Sequence, residues 1–470
     1  MLKFFNSLTR KLEPFRPPNP KQVRVYTCGP TVYNVPHIGN YRTFLWEDVL
    51  VRFLRFKGYR VTHVMNITDV DDKTIAGSTA KGVSLSEFTA PFKQKFFSDL
   101  KRLNAVPADY YPEATAHIPQ MVKLISTLLK KGVAYRASDQ SIYFSIAKFP
   151  KYGKLSKFKL KKLKAGARVS QDEYEKKQAQ DFALWKAYDA ADGSVYWDTE
   201  LGRGRPAWHI ECSAMSVEYL GQPFDIHAGG IDNLFPHHEN EIAQSEGATG
   251  KPLAQYWLHA KHLLVNGEKM AKSKGNFLTL DDVKAPSEVV RFVLIANHYR
   301  KGANFTYSEL SNAQTRLEKM NALIQHLLET ASLKQSAKPS VAVSKLASGA
   351  LSKFELGLDS DLNVPKALLG LNELVRKTNA LVEKQKLSKA DAQVLLKAFG
   401  KMDSVLGVLS FEKKIIPKLD AEIESLIQKR EAFRVQKKWV EADAIRDELL
   451  KRGIELLDTP LGPKWKKKNS

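Results

Sequence analysis

The segment from Gln22 to Asp69 constrains the fold more tightly than any other part of the chain. QVRVYTCG (22–29) alternates apolar Val23 and Val25 with polar neighbours and then runs into Gly29-Pro30, the pattern of a strand entering a turn. TFLWEDVLVRFLRFKG (43–58) follows, with Leu45, Val49, Phe53 and Phe56 at helical spacing and Gly58 as a stop. YRVTHVMNITD (59–69) is β-rich again. Strand, helix, strand in this order is a βαβ unit, which requires a parallel sheet with a right-handed crossover. The expected fold class is therefore α/β, with helices covering the sheet.

HIGN (37–40) falls between the first strand and its helix. Doubly wound sheets bind nucleotides there, because the amides and dipole of the helix start favour phosphate. His37 can donate to phosphate oxygens, and Gly39 lets a ligand approach the backbone closely. Taken alone, a histidine after a turn is more often a helix cap or a packing residue. A second charged stretch, GEKMAKSKGNF (267–277), holds Lys269 and Lys272 in a loop flanked by Gly267 and Gly275. Alone it reads as solvated surface.

Composition narrows the partners. The chain has 470 residues, enough for two to four domains, and 43% hydrophobic content suffices for real cores. Its net charge of +22 and pI near 9.6 point to a polyanion. No run approaches the 18 apolar residues of a membrane span, and no strongly amphipathic basic helix favours a membrane surface. The N-terminus, MLKFFNSLTRKLEPF, has no apolar core segment or cleavage site and reads as the start of a soluble protein. With only Cys28 and Cys212, a disulfide scaffold is excluded and a reducing, cytoplasmic setting is expected.

Cys28 ends the first strand, and Cys212 lies in GRPAWHIECSAMS (204–216). Downstream, FDIHAGGIDNLFPHHENEIAQSE (224–246) places His237 and Glu241 four apart, on one face if that segment is helical. His238 faces Ile242 at the same spacing and lacks a ligand partner there. Two cysteines, a histidine and a glutamate make an acceptable zinc set. The spacing is not that of a zinc finger, and two unrelated buried thiols remain the alternative.

TCGPTVYNVPHIGNYRTFLWEDVLVRFLRFKGYRVTHVMNITDVDDKTI (27–75) resembles the opening of class I aminoacyl-tRNA synthetases, specifically the cysteinyl-tRNA synthetases. HIGN is then a form of that family's HIGH motif. KMAKS (269–273) stands for KMSKS, with Ala271 in place of a serine. The resemblance implies that the enzyme activates L-cysteine with ATP, with Mg2+ expected, and transfers it to the 3′ end of tRNA(Cys). It implies RNA rather than DNA, and no membrane, as partner. It implies one Zn2+ per chain on Cys28, Cys212, His237 and Glu241. His37, Asn40, Lys269 and Lys272 align with catalytic positions. His37, Asn40 and Lys272 would contact ATP phosphates, and Gly230 and Asp232 of HAGGID (227–232) its adenosine. Ala228 replaces a family glycine in HAGGID. Gly29, Thr31, Thr68 and Trp208 align with the amino-acid pocket.

The resemblance also sets the expected domains. The Rossmann-like catalytic domain comprises 1–114 and 206–262 and is split by a connective insertion at 115–205. The KMAKS region spans 263–315, a helical bundle 316–408, and a small mixed anticodon-binding domain 409–470. Within the insertion, KFPKYGKLSKFKLKKLK (148–164) has eight lysines and no acid, which suits either a solvated face or contact with RNA phosphates. The same residues bear on two rival readings. A ligase passing cysteine to a small amine needs no anticodon region, yet roughly 155 residues follow Thr315. A catalytically dead RNA-binding paralogue would have lost His37, Lys272 or a zinc ligand, and all are present.

Overall fold

The computed structural model describes residues 1–157, 168–169, 181–270, 276–333, 338–412, 421–459 and 462–467. Ala271 and Lys272 of KMAKS lie outside the described residues, as do positions 158–164 of the lysine run.

The expected parallel sheet is present. Its four strands lie in the order Ala254–Ala260, Phe224–Gly230, Gln22–Thr27, Arg60–Met65, all parallel. The chain therefore runs outward to one side of Gln22–Thr27 and later returns to build its other side. That reversal is a topological switch point, and ligands of open α/β sheets sit at the carboxyl ends of the strands flanking it. Cys28 immediately follows one flanking strand, and Gly230 ends the other. The site is thus placed by topology before any side chain is considered.

The first crossover helix is Ile38–Phe56, five residues earlier in onset than the periodic stretch from Thr43 suggests. Its opening turn contains Gly39 and Asn40, poor helix formers that hide the pattern. A capping box compensates: the His37 side chain accepts from the Asn40 backbone, and the Asn40 side chain accepts from that of His37. Buried Leu45, Val49 and Phe53 form its inner face.

Between Arg60–Met65 and Phe224–Gly230 the chain inserts the helices Asp72–Lys81, Leu85–Arg102 and Ile118–Lys130 and a second sheet of mostly shorter strands. In that sheet Ile142–Phe144 pairs antiparallel with Ala134–Arg136 and with Asp181–Ala187, which also pairs antiparallel with Gly204–Pro206. The helix Trp208–Leu220 then leads back to the main sheet. One continuous apolar core joins Tyr26 and Val64 of the main sheet to Phe144, Phe182 and Trp185 of the inserted one.

The chain divides into two compact units. One comprises Met1–Met320, Ala347–Asn372 and Lys397–Leu409, and the other Asn321–Leu346, Glu373–Leu396 and Ser410–Ser470. The helical pattern at 316–331 lies within Tyr307–Ala331, and Pro365 occupies the first turn of Val364–Glu383, where a missing amide hydrogen costs nothing. The C-terminal part of the second unit packs helices Ala421–Val435 and Trp439–Lys451 against the hairpin Ile454–Thr459/Gly462–Lys467. Leu449, Ile454 and Leu456 make its core, with Ile423, Ile427 and Trp465 around them. Among the described residues no helix is long and apolar enough to cross a membrane.

Candidate active site

A cavity of about 380 Å³ opens at the switch point. Cys28, Gly29, Thr31, His37, Asn40, Trp208, Cys212, Gly230, Asp232, His237 and Lys269 all line it. Residues drawn from 28 to 269 are therefore gathered into one place. Thr68 is not on the wall. Its hydroxyl accepts from Asn66 Nδ2 at 3.0 Å, and Asn66 lines the cavity and accepts the Gly29 amide at 3.0 Å. Nothing in the sequence distinguished Asn66 from Thr68, two residues apart on one face.

At the helix start, the capping box settles the chemistry of His37. The Asn40 amide donates to His37 Nδ1 at 3.2 Å, so Nδ1 accepts and the proton of the neutral ring sits on Nε2. Burial lowers the pKa of His37, which favours that neutral form. Asn40 Oδ1 accepts the His37 amide at 3.1 Å, leaving its amide hydrogens as donors. Gly39 is closely approached: a β-carbon there would lie 2.5 Å from Met270 Cε and 2.9 Å from the His37 ring, so both side chains would have to shift. The stem of the KMAKS loop is thus pressed onto HIGN. The Ile38 amide donates to the Leu278 carbonyl at 2.9 Å, and the Phe277 ring meets the His37 ring edge-on at 5.1 Å. Lys269 ends a short strand paired with Leu264, and its carbonyl accepts from Asn276 at 3.2 Å. On the same side, Asp232 Oδ2 is 3.0 Å from His262 Nδ1. Gly29 is also constrained, since a β-carbon would collide with the Asn66 carbonyl.

The floor of the cavity is a cluster of metal-binding groups. Donor atoms of Cys28, Cys212, His237 and Glu241 lie within 4.8 Å of one another, all buried. His237 and Glu241 share one face of the helix His237–Thr249, as their spacing requires. His237 Nε2 and Glu241 Oε1 face each other at 3.1 Å, and neither has a hydrogen-bond partner. Two orphaned acceptors converging on two sulfurs fit a cation, since buried polar atoms are otherwise paired. Burial, with Cys212 and Glu241 alongside, pushes the Cys28 thiol well above its ordinary pKa, so charged sulfur needs a compensating positive charge here.

A second group also gathers within 4.8 Å: Cys28, His227, His238 and Glu241. Its histidines are already engaged. His238 Nε2 contacts Cys28 Sγ at 3.2 Å, and its Nδ1 contacts His259 Nε2 at 2.9 Å. His227 Nε2 contacts Glu241 Oε2 at 2.8 Å. Neither His227 nor His238 lines the cavity. The His237 set is the better-disposed of the two. His227 then steadies Glu241 from behind, and His209 steadies His237 through an Nδ1–Nδ1 contact of 2.8 Å. The Trp208 ring stacks on His237 at 4.2 Å and is half-buried on the cavity wall rather than in the core. His209, His227, His238 and His259 were not singled out in the sequence as a group. They come from four elements and converge only in the fold. Burial holds His209, His237 and His259 near pKa 3, hence neutral.

The comparisons with known proteins agree with this geometry. The family model "tRNA synthetases class I (C) catalytic domain" matches residues 14–315. Among solved structures, the chain is similar to Mycobacterium tuberculosis methionyl-tRNA synthetase in complex with methionyl-adenylate. The TM-score is 0.60 at 16% identity, over 82% of this chain and 89% of that one. A putative arginyl-tRNA synthetase from Campylobacter jejuni is similar at TM-score 0.56 and 12% identity, over 85% and 95%. Fold and family match together define the class I aminoacyl-tRNA synthetase architecture.

Two further models match, the DALR domain at 353–410 and the cysteinyl-tRNA ligase anticodon binding domain at 417–461. Full-length relatives carry one name, Cysteine--tRNA ligase. That of Chlamydia felis is 47% identical, over 99% of this chain and 98% of its own length. That of Protochlamydia amoebophila is 44% identical, over 99% and 98%. The chain belongs to the cysteine–tRNA ligase family.

Proposed function

We propose that this protein activates L-cysteine with ATP to cysteinyl-adenylate and transfers the cysteinyl group to the 3′ end of tRNA(Cys). The observation that carries the reading is the convergence of Cys28, Cys212, His237 and Glu241 beneath a cavity walled by HIGN and the KMAKS stem.

Selection of cysteine is the demanding step. Serine differs from it by one atom, and apolar pockets separate such close analogues by only roughly 10- to 200-fold. Cys28, Cys212, His237 and Glu241 would hold one zinc ion, which supplies affinity for the substrate sulfur that a hydroxyl does not match. Gly29, Thr31 and Trp208 would bound the amino acid, with Thr68 behind them bracing Asn66.

Adenylate formation is mainly positioning and charge neutralisation. His37 would donate from Nε2 to ATP phosphate, and Asn40 from its amide. Lys269 and Lys272 would bring positive charge over the phosphates, and Gly230 and Asp232 would seat the adenosine. Mg2+ accompanies ATP. The segments 1–114 and 206–262 would form the catalytic domain, 115–205 the connective insertion and 263–315 the KMAKS region. Residues 316–408 and 409–470 would be the helical bundle and the anticodon-binding domain. Thiols serving as metal ligands suit a reducing cytoplasm.

The test is cysteine-dependent ATP–pyrophosphate exchange by the purified protein, followed by charging of a tRNA(Cys) transcript. Exchange with cysteine, and none with serine at equal concentration, is expected. Exchange indifferent to the amino acid supplied would refute the reading.

A further inference from the structure

The cavity wall carries an aromatic–cation pair outside the groups assigned above. Tyr33 is 38% exposed, and Lys73 Nζ sits 5.1 Å from the centroid of its ring. Both line the cavity. Lys73 lies in the first turn of the helix Asp72–Lys81, whose start is well anchored. Asp71 caps it by accepting the Thr74 amide at 2.7 Å, and Asp72 is held by Lys186 at 2.7 Å and Arg205 at 2.8 Å. The backbone that carries Lys73 to the side of Tyr33 is therefore fixed by the fold.

The pair also lies on a defined side of the cavity. Thr31 and Thr68 pair as a parallel bridge, which runs the chain leading to Tyr33 beside the chain leading to Lys73. This is the flank of Gly29, Thr31 and Asn66. His262, Lys269, Met270 and Phe277, beside which ATP is assigned, line the same cavity from other elements. The third reactant must reach the activated carboxyl beside the nucleotide, and the exposed ring with its neighbouring ammonium offers it a place on the cavity wall.

A tyrosine face with a neighbouring cation matches one ligand chemistry well. An unpaired RNA end offers a base that stacks and a phosphate that takes positive charge. We propose that Tyr33 and Lys73 seat the 3′-terminal nucleotide of the acceptor RNA, the ring stacking on the base and the ammonium meeting the adjoining phosphate. This rests on the function proposed above.

The experiment compares wild type with Tyr33→Leu, Tyr33→Phe and Lys73→Met, each checked for an unchanged melting temperature. It measures pyrophosphate exchange, charging of a tRNA(Cys) transcript, and binding of a short acceptor-stem RNA with and without its 3′-terminal adenosine. Tyr33→Leu and Lys73→Met should lower kcat/KM for the RNA by about 10-fold or more, the scale of losing one stacked base. Exchange should stay within about twofold, and Tyr33→Phe should behave nearly as wild type. The preference for RNA bearing the terminal adenosine should vanish in Tyr33→Leu. Unchanged charging would overturn the proposal. So would an equal loss of exchange and charging, which would assign the pair to cysteine or ATP. Absence of exchange in the wild type would instead remove the underlying function, a separate readout.

Discussion

His37 uses its two ring nitrogens for two purposes: Nδ1 closes the helix cap, which leaves Nε2 as the donor on the cavity side. A single tautomer thereby serves fold and chemistry together. Asn40 is divided in the same way, its oxygen in the cap and its amide hydrogens available to a ligand. Neither residue carries positive charge in this state, so in the proposed reaction neutralisation of the phosphates would fall to lysines. Lys272→Ala should therefore lower kcat for adenylate formation by about 10²- to 10³-fold, the scale of removing one key electrostatic group. Stopped-flow or exchange kinetics with cysteine varied should show little change in cysteine affinity. A defect confined to cysteine binding would contradict the role. At this scale the sequence pointed to His37 through its motif and to Cys28, Cys212, His237 and Glu241 through the family resemblance, and the fold brings the donor atoms of those four together. It did not reveal Asn66, or the ring of histidines behind the donors. His238 was set aside because its four-residue neighbour is Ile242, yet it reaches Cys28 across the sheet end, a contact no one-dimensional spacing encodes.

The HIGN helix is fixed to the rest of its unit by a buried ion pair. Arg291, on the helix Ser287–Ile295, reaches Asp48 on Ile38–Phe56 at 2.5 Å, with both side chains essentially excluded from solvent. The same guanidinium donates to the Leu406 carbonyl at 2.6 Å and the Leu103 carbonyl at 3.0 Å. Asp48 also accepts from Arg52 Nε at 2.8 Å, so removing Arg291 leaves the carboxylate one cation and chiefly orphans the buried Leu406 and Leu103 carbonyls, at a cost of about 1–3 kcal/mol. Arg291→Ala should therefore lower the chemical-denaturation midpoint of the catalytic unit markedly. A loss below about 1 kcal/mol would mean that Arg52 compensates Asp48 fully and that water reaches the freed carbonyls. Elements like these were partly visible beforehand. The βαβ order and the parallel sheet followed from alternation and helical spacing between Gln22 and Asp69. The true start of the helix at Ile38 did not, because its first turn is held by a cap and by tertiary contact rather than by an apolar stripe. The pairing of Arg291 with Asp48, 243 positions apart, has no sequence signal at all.

On the scale of the whole molecule, the net charge of +22 and the match to an anticodon binding domain at 417–461 concern one partner, a long RNA. The segment after residue 420 has its own small core of Leu449, Ile454 and Leu456, so it is separable from the chemistry. Leu406 and Gly407 are not, because their carbonyls hold Arg291 and Asn104. A truncation after Glu412 should therefore keep cysteine-dependent pyrophosphate exchange within a few-fold of wild type while sharply reducing tRNA charging. The full-length enzyme should discriminate against a tRNA with an altered anticodon, and the truncated one should not. Equal charging of both tRNAs by the full-length enzyme would deny this segment an anticodon role. The central claim concerns the donors beneath the cavity, and metal content tests it most directly. Elemental analysis of the purified protein, set beside its exchange rates with cysteine and serine, should find about one zinc per chain. Cys212→Ser should lose both the zinc and cysteine binding while remaining folded by circular dichroism. A protein free of zinc that still activates cysteine at full rate would contradict the account.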